Sequence, residues 1–76
     1  MTKKSLQNKL KVYRAMEDWT QEELARRVNV TRKTINTIEN AKYVPSTYLA
    51  LKIAAAFGVT VEELFQLDDE EAPDQP

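Results

Sequence analysis

The stretch Trp19-Thr-Gln-Glu-Glu-Leu-Ala-Arg-Arg-Val-Asn-Val-Thr-Arg-Lys-Thr-Ile-Asn-Thr-Ile-Glu-Asn-Ala-Lys42 decides how this chain folds. Thr20, with Glu23 three residues on, has the pattern of a capping box. The hydroxyl accepts from the Glu23 amide while the carboxylate reaches back, and a helix starts. Leu24, Ala25 and Val28 then face one way, so this helix runs to about Val28. Asn29 is one of the few non-glycine residues that tolerates positive φ, so it can end the helix in a left-handed conformation. Thr31 caps the next helix, over about 32–40. A connection this short forces the two helices to cross steeply, which is the geometry of a helix-turn-helix.

Helical spacing continues on both sides. Leu6, Leu10 and Tyr13 recur at i, i+4 and i+7, which predicts a first helix running to about Glu17. Residues 41–45 form a loop. Ser46 caps a fourth helix over about 47–57, with Leu49, Ile53, Ala54 and Phe57 on its buried side, and Gly58 ends it. Thr60 and Glu63 form a second capping box for a short last helix over about 61–66. Strand-like alternation of polarity is absent. The expected class is therefore all-α, with five short helices around one core.

Composition narrows the chemistry. The chain has 76 residues, with no cysteine and no histidine. That excludes disulfides, thiolate metal sites and imidazole catalysis. The adjacent acids Glu22/Glu23, Glu62/Glu63 and Asp68/Asp69 are helix-start or tail charges and do not converge, so no catalytic residue is assigned. No apolar run approaches the roughly 20 residues that cross a bilayer, and no apolar stretch follows the basic Met1-Thr2-Lys3-Lys4 as a signal peptide requires. A cytoplasmic protein is expected, without metal, cofactor, membrane contact or evident small-molecule ligand.

The net charge of −1 hides an asymmetry. Asp68, Asp69, Glu70, Glu71 and Asp74 crowd the last nine residues, whereas residues 1–67 hold all 11 Lys and Arg against 7 acids, a balance of +4. The expected division is a mildly basic domain over 1–67 and a disordered acidic tail over 68–76.

A helical wheel at about 100° per residue sorts the third helix. Ile35 and Ile38 lie about 60° apart and mark the core. Lys33 and Asn40 point away from them, Asn36 and Thr37 flank that outward side, and Arg32 stands at its edge. These side chains suit base edges: Arg and Lys donate to guanine, Asn pairs with adenine, and Thr offers a hydroxyl and a methyl. The helix's one acid, Glu39, turns back toward the core edge. A polar face of this kind can simply be solvated. The tight turn before it, the small outward side chains and the nearby cations favour a reading face.

Trp19 to Lys42, with Pro45-Ser46, Leu51-Lys-Ile-Ala-Ala-Ala-Phe-Gly-Val-Thr60 and Val61-Glu-Glu-Leu-Phe65, resembles the XRE family of phage-repressor and Cro-like regulators. The likeness covers about residues 8–67. It implies a compact five-helix, lambda-repressor-like domain whose third helix enters the major groove of double-stranded DNA. By position it implies base contacts from Arg32, Lys33, Asn36 and Thr37. Backbone contacts would come from Gln21, Thr31, Asn40, Lys42 and Tyr43, with Gln21 also bracing helix three. It implies a structural ion pair between Arg14 and Glu39.

The chain departs from the family where glycine is usual, carrying Asp18, Asn29 and Ala41 instead. Alanine accepts the left-handed conformation less readily than Asp or Asn, so Asn40 is the candidate for that role at the end of helix three. Tyr13 and Trp19 stand for aliphatics and are expected in or at the edge of the core. Thr47 replaces an apolar residue and would expose the start of helix four.

The expected function is that of a transcriptional regulator acting as a homodimer on a pseudo-palindromic operator. Repression is expected because the chain shows no sensor or activation segment. The expected two-fold interface is Val61, Leu64, Phe65 and Leu67. The alternative is an antitoxin-type protein-interaction module that also binds DNA.

Overall fold

The computed structural model describes residues 6–67, so the acidic segment expected as a tail and the basic N-terminus lie outside the described residues. Hydroxyl side chains open four of the five helices. In α2 (Gln21–Val28) the Thr20 hydroxyl accepts from the Glu23 amide at 3.0 Å, and in α3 (Arg32–Glu39) Thr31 accepts from Thr34 at 3.2 Å. Ser46 does the same for Leu49 at the start of α4 (Thr47–Phe57), and Thr60 for Glu63 at α5 (Val61–Leu64), both at 3.1 Å. Each cap satisfies an amide that has no partner inside its helix and contributes about 1 kcal/mol.

Only α5 carries the complete capping box, with Glu63 accepting from the Thr60 amide at 2.9 Å. At α2 the expected return contact is absent. Arg26 and Arg27 draw the Glu23 carboxylate away at 2.6 and 2.7 Å. The hydrogen bond from Arg26 is the main cause that holds the Glu23 carboxyl below its usual range.

α1 (Leu10–Glu17) starts later than its spacing suggests. Leu6–Asn8 is instead a strand, β1, paired antiparallel with β2 (Phe65–Leu67) so that Leu6 faces Leu67 and Asn8 faces Phe65. The last helix correspondingly stops at Leu64, short of the expected 66. The physical reason lies in Asn8 and Lys9. The Asn8 side-chain oxygen accepts from the Leu10 amide at 3.1 Å, and its nitrogen donates to the Ile38 carbonyl at 2.8 Å. The Lys9 amide donates to the Leu64 carbonyl at 2.9 Å. One asparagine thus satisfies the first amide of α1 and ties the N-terminal strand to the end of α3. The two short strands join the ends of the described segment of a five-helix all-α domain.

Helix ends are equally local. Asp18, Asn29, Ala41 and Gly58 all have positive φ, between 59° and 72°. Each is followed by an amide that reaches back five residues: Trp19 to Arg14, Val30 to Ala25, Lys42 to Thr37 and Val59 to Ala54. This is the Schellman closure. Asn40 does not take the left-handed role offered to it; its φ is −88° and Ala41 turns instead at 59°. The Asn40 amide group is engaged elsewhere, donating to the Asn36 carbonyl at 2.9 Å. Ala41 therefore carries the strain that a Cβ meets at positive φ.

The interior is a single cluster. Leu10, Leu24, Ile35, Ile53 and Leu64 are fully enclosed, with Val28 and Ile38 nearly so, and every helix supplies at least one member. A second layer is aromatic. Trp19 stacks on Phe57 with ring centroids 5.3 Å apart, Tyr13 lies 5.6 Å from the same ring, and the Arg27 guanidinium sits 4.1 Å above Trp19. These rings are half-buried, Phe57 among them, and they hold α1, α2 and α4 together at the core's edge.

Arg14 and Glu39 join α1 to α3. The guanidinium donates from Nε to Oε2 at 2.6 Å and from Nη2 to Oε1 at 3.1 Å, a two-pronged contact. Its remaining nitrogen donates to the Trp19 carbonyl at 2.9 Å. The side chains are only 14% and 3% exposed, so removing one partner strands a charge away from water.

Two outcomes follow. Arg14→Ala is expected to lower stability by about 3–5 kcal/mol, read as an early thermal transition, with any loss of ligand affinity tracking the unfolded fraction. Ala41→Gly removes the left-handed penalty and is expected to add about 0.5–1 kcal/mol, a rise of about 2–8 °C in Tm. An unchanged or lower Tm would show that residue 41 bears no strain.

Candidate nucleic-acid interface

Two turns of α3 and the start of α2 form one polar surface. The buried Ile35 and Ile38 fix how α3 is rolled, and the other side of the helix is left to solvent. Arg32, Lys33, Asn36 and Asn40 are exposed, and Thr37 is half-exposed with its hydroxyl donating to the Thr34 carbonyl at 2.9 Å. Thr31 stands at the N-terminus of the helix, where the free amides and the helix dipole favour an anion.

The surface continues past the helix. Lys42 and Tyr43 are exposed and, with Thr31, Lys33, Thr34 and Thr37, line a shallow concavity of about 290 Å³. The side chains of Lys33 and Lys42 make no hydrogen bond or ion pair among the described residues, so both ammonium groups are free to meet an anion. The Schellman bond from the Lys42 amide to Thr37 sets where this lysine leaves the helix. Thr34 joins this lining although sequence reasoning passed over it; its place on the wheel, next to Thr37, was the available signal.

Gln21 connects the two helices. Its Oε1 accepts from Arg32 Nη1 at 3.1 Å, and its Nε2 donates to Glu39 Oε1 at 3.0 Å and to Asn36 Oδ1 at 3.2 Å. Four residues of the expected site, Gln21, Arg32, Asn36 and Asn40, thus share one hydrogen-bonded array that ends on the buried Arg14–Glu39 pair. Both Nε2 hydrogens of Gln21 are used within the protein. A phosphate at this helix start would be met by the backbone amides of the first turn, which point outward by construction.

The residues expected at a two-fold interface divide. Leu64 and Phe65 are enclosed in the chain's own core at 0% and 8% exposure. Val61 is half-buried, and Leu67 is 69% exposed. Val61 and Leu67 line an apolar groove of about 450 Å³ with Leu6, Ala50 and Leu51. The groove involves α4, α5 and the strand pair, whereas the polar surface is built on α2 and α3. Among the described residues no helix is long and apolar enough to cross a membrane.

Comparison with known proteins agrees with this geometry. The helix-turn-helix family matches residues 10–64, from the first core leucine to the last. An uncharacterized HTH-type transcriptional regulator of Methanocaldococcus jannaschii is 52% identical over 66 residues, covering 87% of this chain and 100% of that protein. A Bacillus subtilis protein of the same description is 46% identical over 65 residues, covering 86% and 98%. Among solved structures, a putative DNA-binding protein from Bacteroides fragilis superimposes with a TM-score of 0.72 at 26% identity, over 80% of this chain and 98% of that one. The restriction-modification controller protein C.AhdI from Aeromonas hydrophila superimposes with a TM-score of 0.68 at 25% identity, over 72% and 80%. With the short connection between α2 and α3, the exposed polar face of α3 and these matches in hand, the chain belongs to the XRE-type helix-turn-helix family of DNA-binding transcriptional regulators.

Proposed function

We propose that this protein represses transcription as a homodimer bound to a pseudo-palindromic operator, with α3 of each protomer in the major groove. The observation that carries the reading is the outward face of α3. It presents a guanidinium, an ammonium, an amide and a hydroxyl, and its one carboxylate, Glu39, is withdrawn into a buried ion pair. Arg32, Lys33, Asn36 and Thr37 meet base edges. Thr31, Asn40, Lys42 and Tyr43, with the first-turn amides at Gln21, meet the phosphate backbone and set the register. Repression then follows from occupancy, because a protein filling adjacent major grooves excludes polymerase from an overlapping promoter. Work on chromosomal DNA implies a cytoplasmic location.

Dimerisation is supported by the groove that holds Val61 and Leu67. One α3 spans only a few base pairs, and two-fold symmetry supplies the second half-site about one helical turn away. Leu51 and Leu67, at 55% and 69% exposure, are apolar groups that a second copy would cover.

The test is selection from a random DNA library, followed by binding across a salt series. Arg32→Ala is expected to cost about 1–3 kcal/mol and relax one base position, whereas Lys42→Ala weakens all sequences alike and lowers the salt slope by about one. Equal loss on every sequence for Arg32→Ala would move that residue to the backbone class. Leu67→Asp is expected to convert a sedimenting dimer to monomer and abolish tight binding to the two-half-site operator. A wild-type monomer at micromolar concentration, both free and on DNA, would overturn the dimer.

A further inference from the structure

The array around Gln21 has a direction that follows from chemistry alone. A carboxylate only accepts hydrogen bonds and a guanidinium only donates them. Gln21 lies between one of each: Glu39 Oε1 at 3.0 Å and Arg32 Nη1 at 3.1 Å. Its amide has one orientation that satisfies both, with nitrogen toward Glu39 and oxygen toward Arg32. The second hydrogen on that nitrogen points at Asn36, 3.2 Å away. Asn36 must therefore turn its oxygen inward, since a flipped amide would set nitrogen against nitrogen.

Asn40 enforces the same choice. Its nitrogen is committed as a donor to the Asn36 backbone carbonyl at 2.9 Å, and it lies 3.4 Å from the same Asn36 side-chain oxygen. That oxygen has two acceptor sites, and both face donors. Nothing among the described residues engages the Asn36 nitrogen.

We infer that Glu39 is a positioning residue which, through Gln21, fixes Asn36 as a pure donor toward the groove, so that Asn36 selects guanine rather than adenine. This rests on the reading of α3 as the helix that meets base edges. The pairing of asparagine with adenine needs both halves of the amide: nitrogen donates to N7 while oxygen accepts from the N6 amino group. Here the oxygen is occupied. Guanine offers two acceptors on its groove edge, N7 and O6; thymine offers O4 and adenine N7, one each, and adenine's N7 lies beside the N6 amino donor that the occupied oxygen cannot receive. A donor-only amide therefore meets guanine best and thymine next. Glu39 reaches the bases without touching them, because its negative charge is the fixed end from which the orientation of Gln21 and then Asn36 is set. Its two-pronged pairing with Arg14 holds the carboxylate in place.

The experiment compares library selection for the wild type, Asn36→Ala, Gln21→Ala and Glu39→Gln. The position whose preference disappears in Asn36→Ala is the one Asn36 reads. The wild type is expected to hold guanine there, or thymine, about tenfold over adenine. Adenine or cytosine at that position would overturn the relay. So would the absence of any position altered by Asn36→Ala while selection elsewhere is intact. If the wild type selects no sequence at all, the reading of α3 falls and this inference with it.

Gln21→Ala leaves the Thr20 cap and the Arg14–Glu39 pair in place but removes the nearer of the two donors on the Asn36 oxygen, leaving only the 3.4 Å approach of Asn40, so adenine should rise toward guanine at that one position. Glu39→Gln should produce the same change, because a second amide accepts either orientation. Combined with Gln21→Ala it should add nothing further to base preference, as expected for two residues acting in series. A Glu39→Gln protein that folds, melts earlier and keeps the wild-type base preference would show a structural role only. Should that variant fail to fold, Gln21→Ala decides alone, and an unchanged preference in it overturns the proposal.

Discussion

The Glu39 carboxylate is the constraint on which the rest of this small domain turns. With 3% of its side chain exposed, it has surrendered nearly all of its hydration, and the protein must replace that with donors. Arg14 supplies two, from α1, and Gln21 supplies one, from the start of α2. Satisfying one buried charge therefore fixes three helices relative to one another. It also removes the only acid of α3 from a surface on which it would repel phosphate. The same Arg14 reaches the Trp19 carbonyl, so the connection between α1 and α2 is drawn into the arrangement. A buried pair is weak evidence for net stability. Its more telling effect here is specification, because a rotated α3 would leave both charges without partners.

Around this polar joint the apolar core does the bulk of the stabilising. Among the described residues seven large side chains are under 2% exposed, and they come from all five helices, so no helix can leave without opening the centre. Helices of four to eleven residues are too short to persist alone. They depend on caps and on one another, which explains why hydroxyl caps recur at the starts and left-handed turns at the ends. The aromatic layer of Tyr13, Trp19 and Phe57 covers the rim, with Arg27 contributing a cation over the indole.

Much of this was legible because the signals are local. Thr20, Thr31, Ser46 and Thr60 announce their helices through hydrogen bonds to residues three positions away, and apolar spacing reports which side of each helix is inward. The wheel through Ile35 and Ile38 likewise separates Lys33, Asn36 and Asn40 from the core. The strand pair was hidden. Leu6 falls four residues before Leu10 and fits a helical repeat, and a three-residue strand has no period to read. Only the arrival of residues 65–67 alongside it, 57 to 61 positions later in register with Leu6 and its neighbours, makes extended backbone the better choice there. Asn8 was hidden for the same reason, since its partner Ile38 is 30 residues away. Leu64 and Phe65 look like loose apolar bulk in a chain so short, yet the fold consumes both.

What the amino-acid sequence determined by itself is therefore the set of helices, the tight turn between α2 and α3, and the chemical character of the outward face of α3. Each depends on side chains within one or two helical turns of one another. The tertiary structure alone decided that Ala41 and not Asn40 makes the left-handed turn, that Glu23 serves two arginines in place of a cap, and that Gln21 stands between Arg32 and Glu39. The first two are competitions between neighbours for the same partner, and only the packed geometry settles which contact wins. The last brings three helices to one amide, and no periodicity along the chain records where a side-chain oxygen or nitrogen will point.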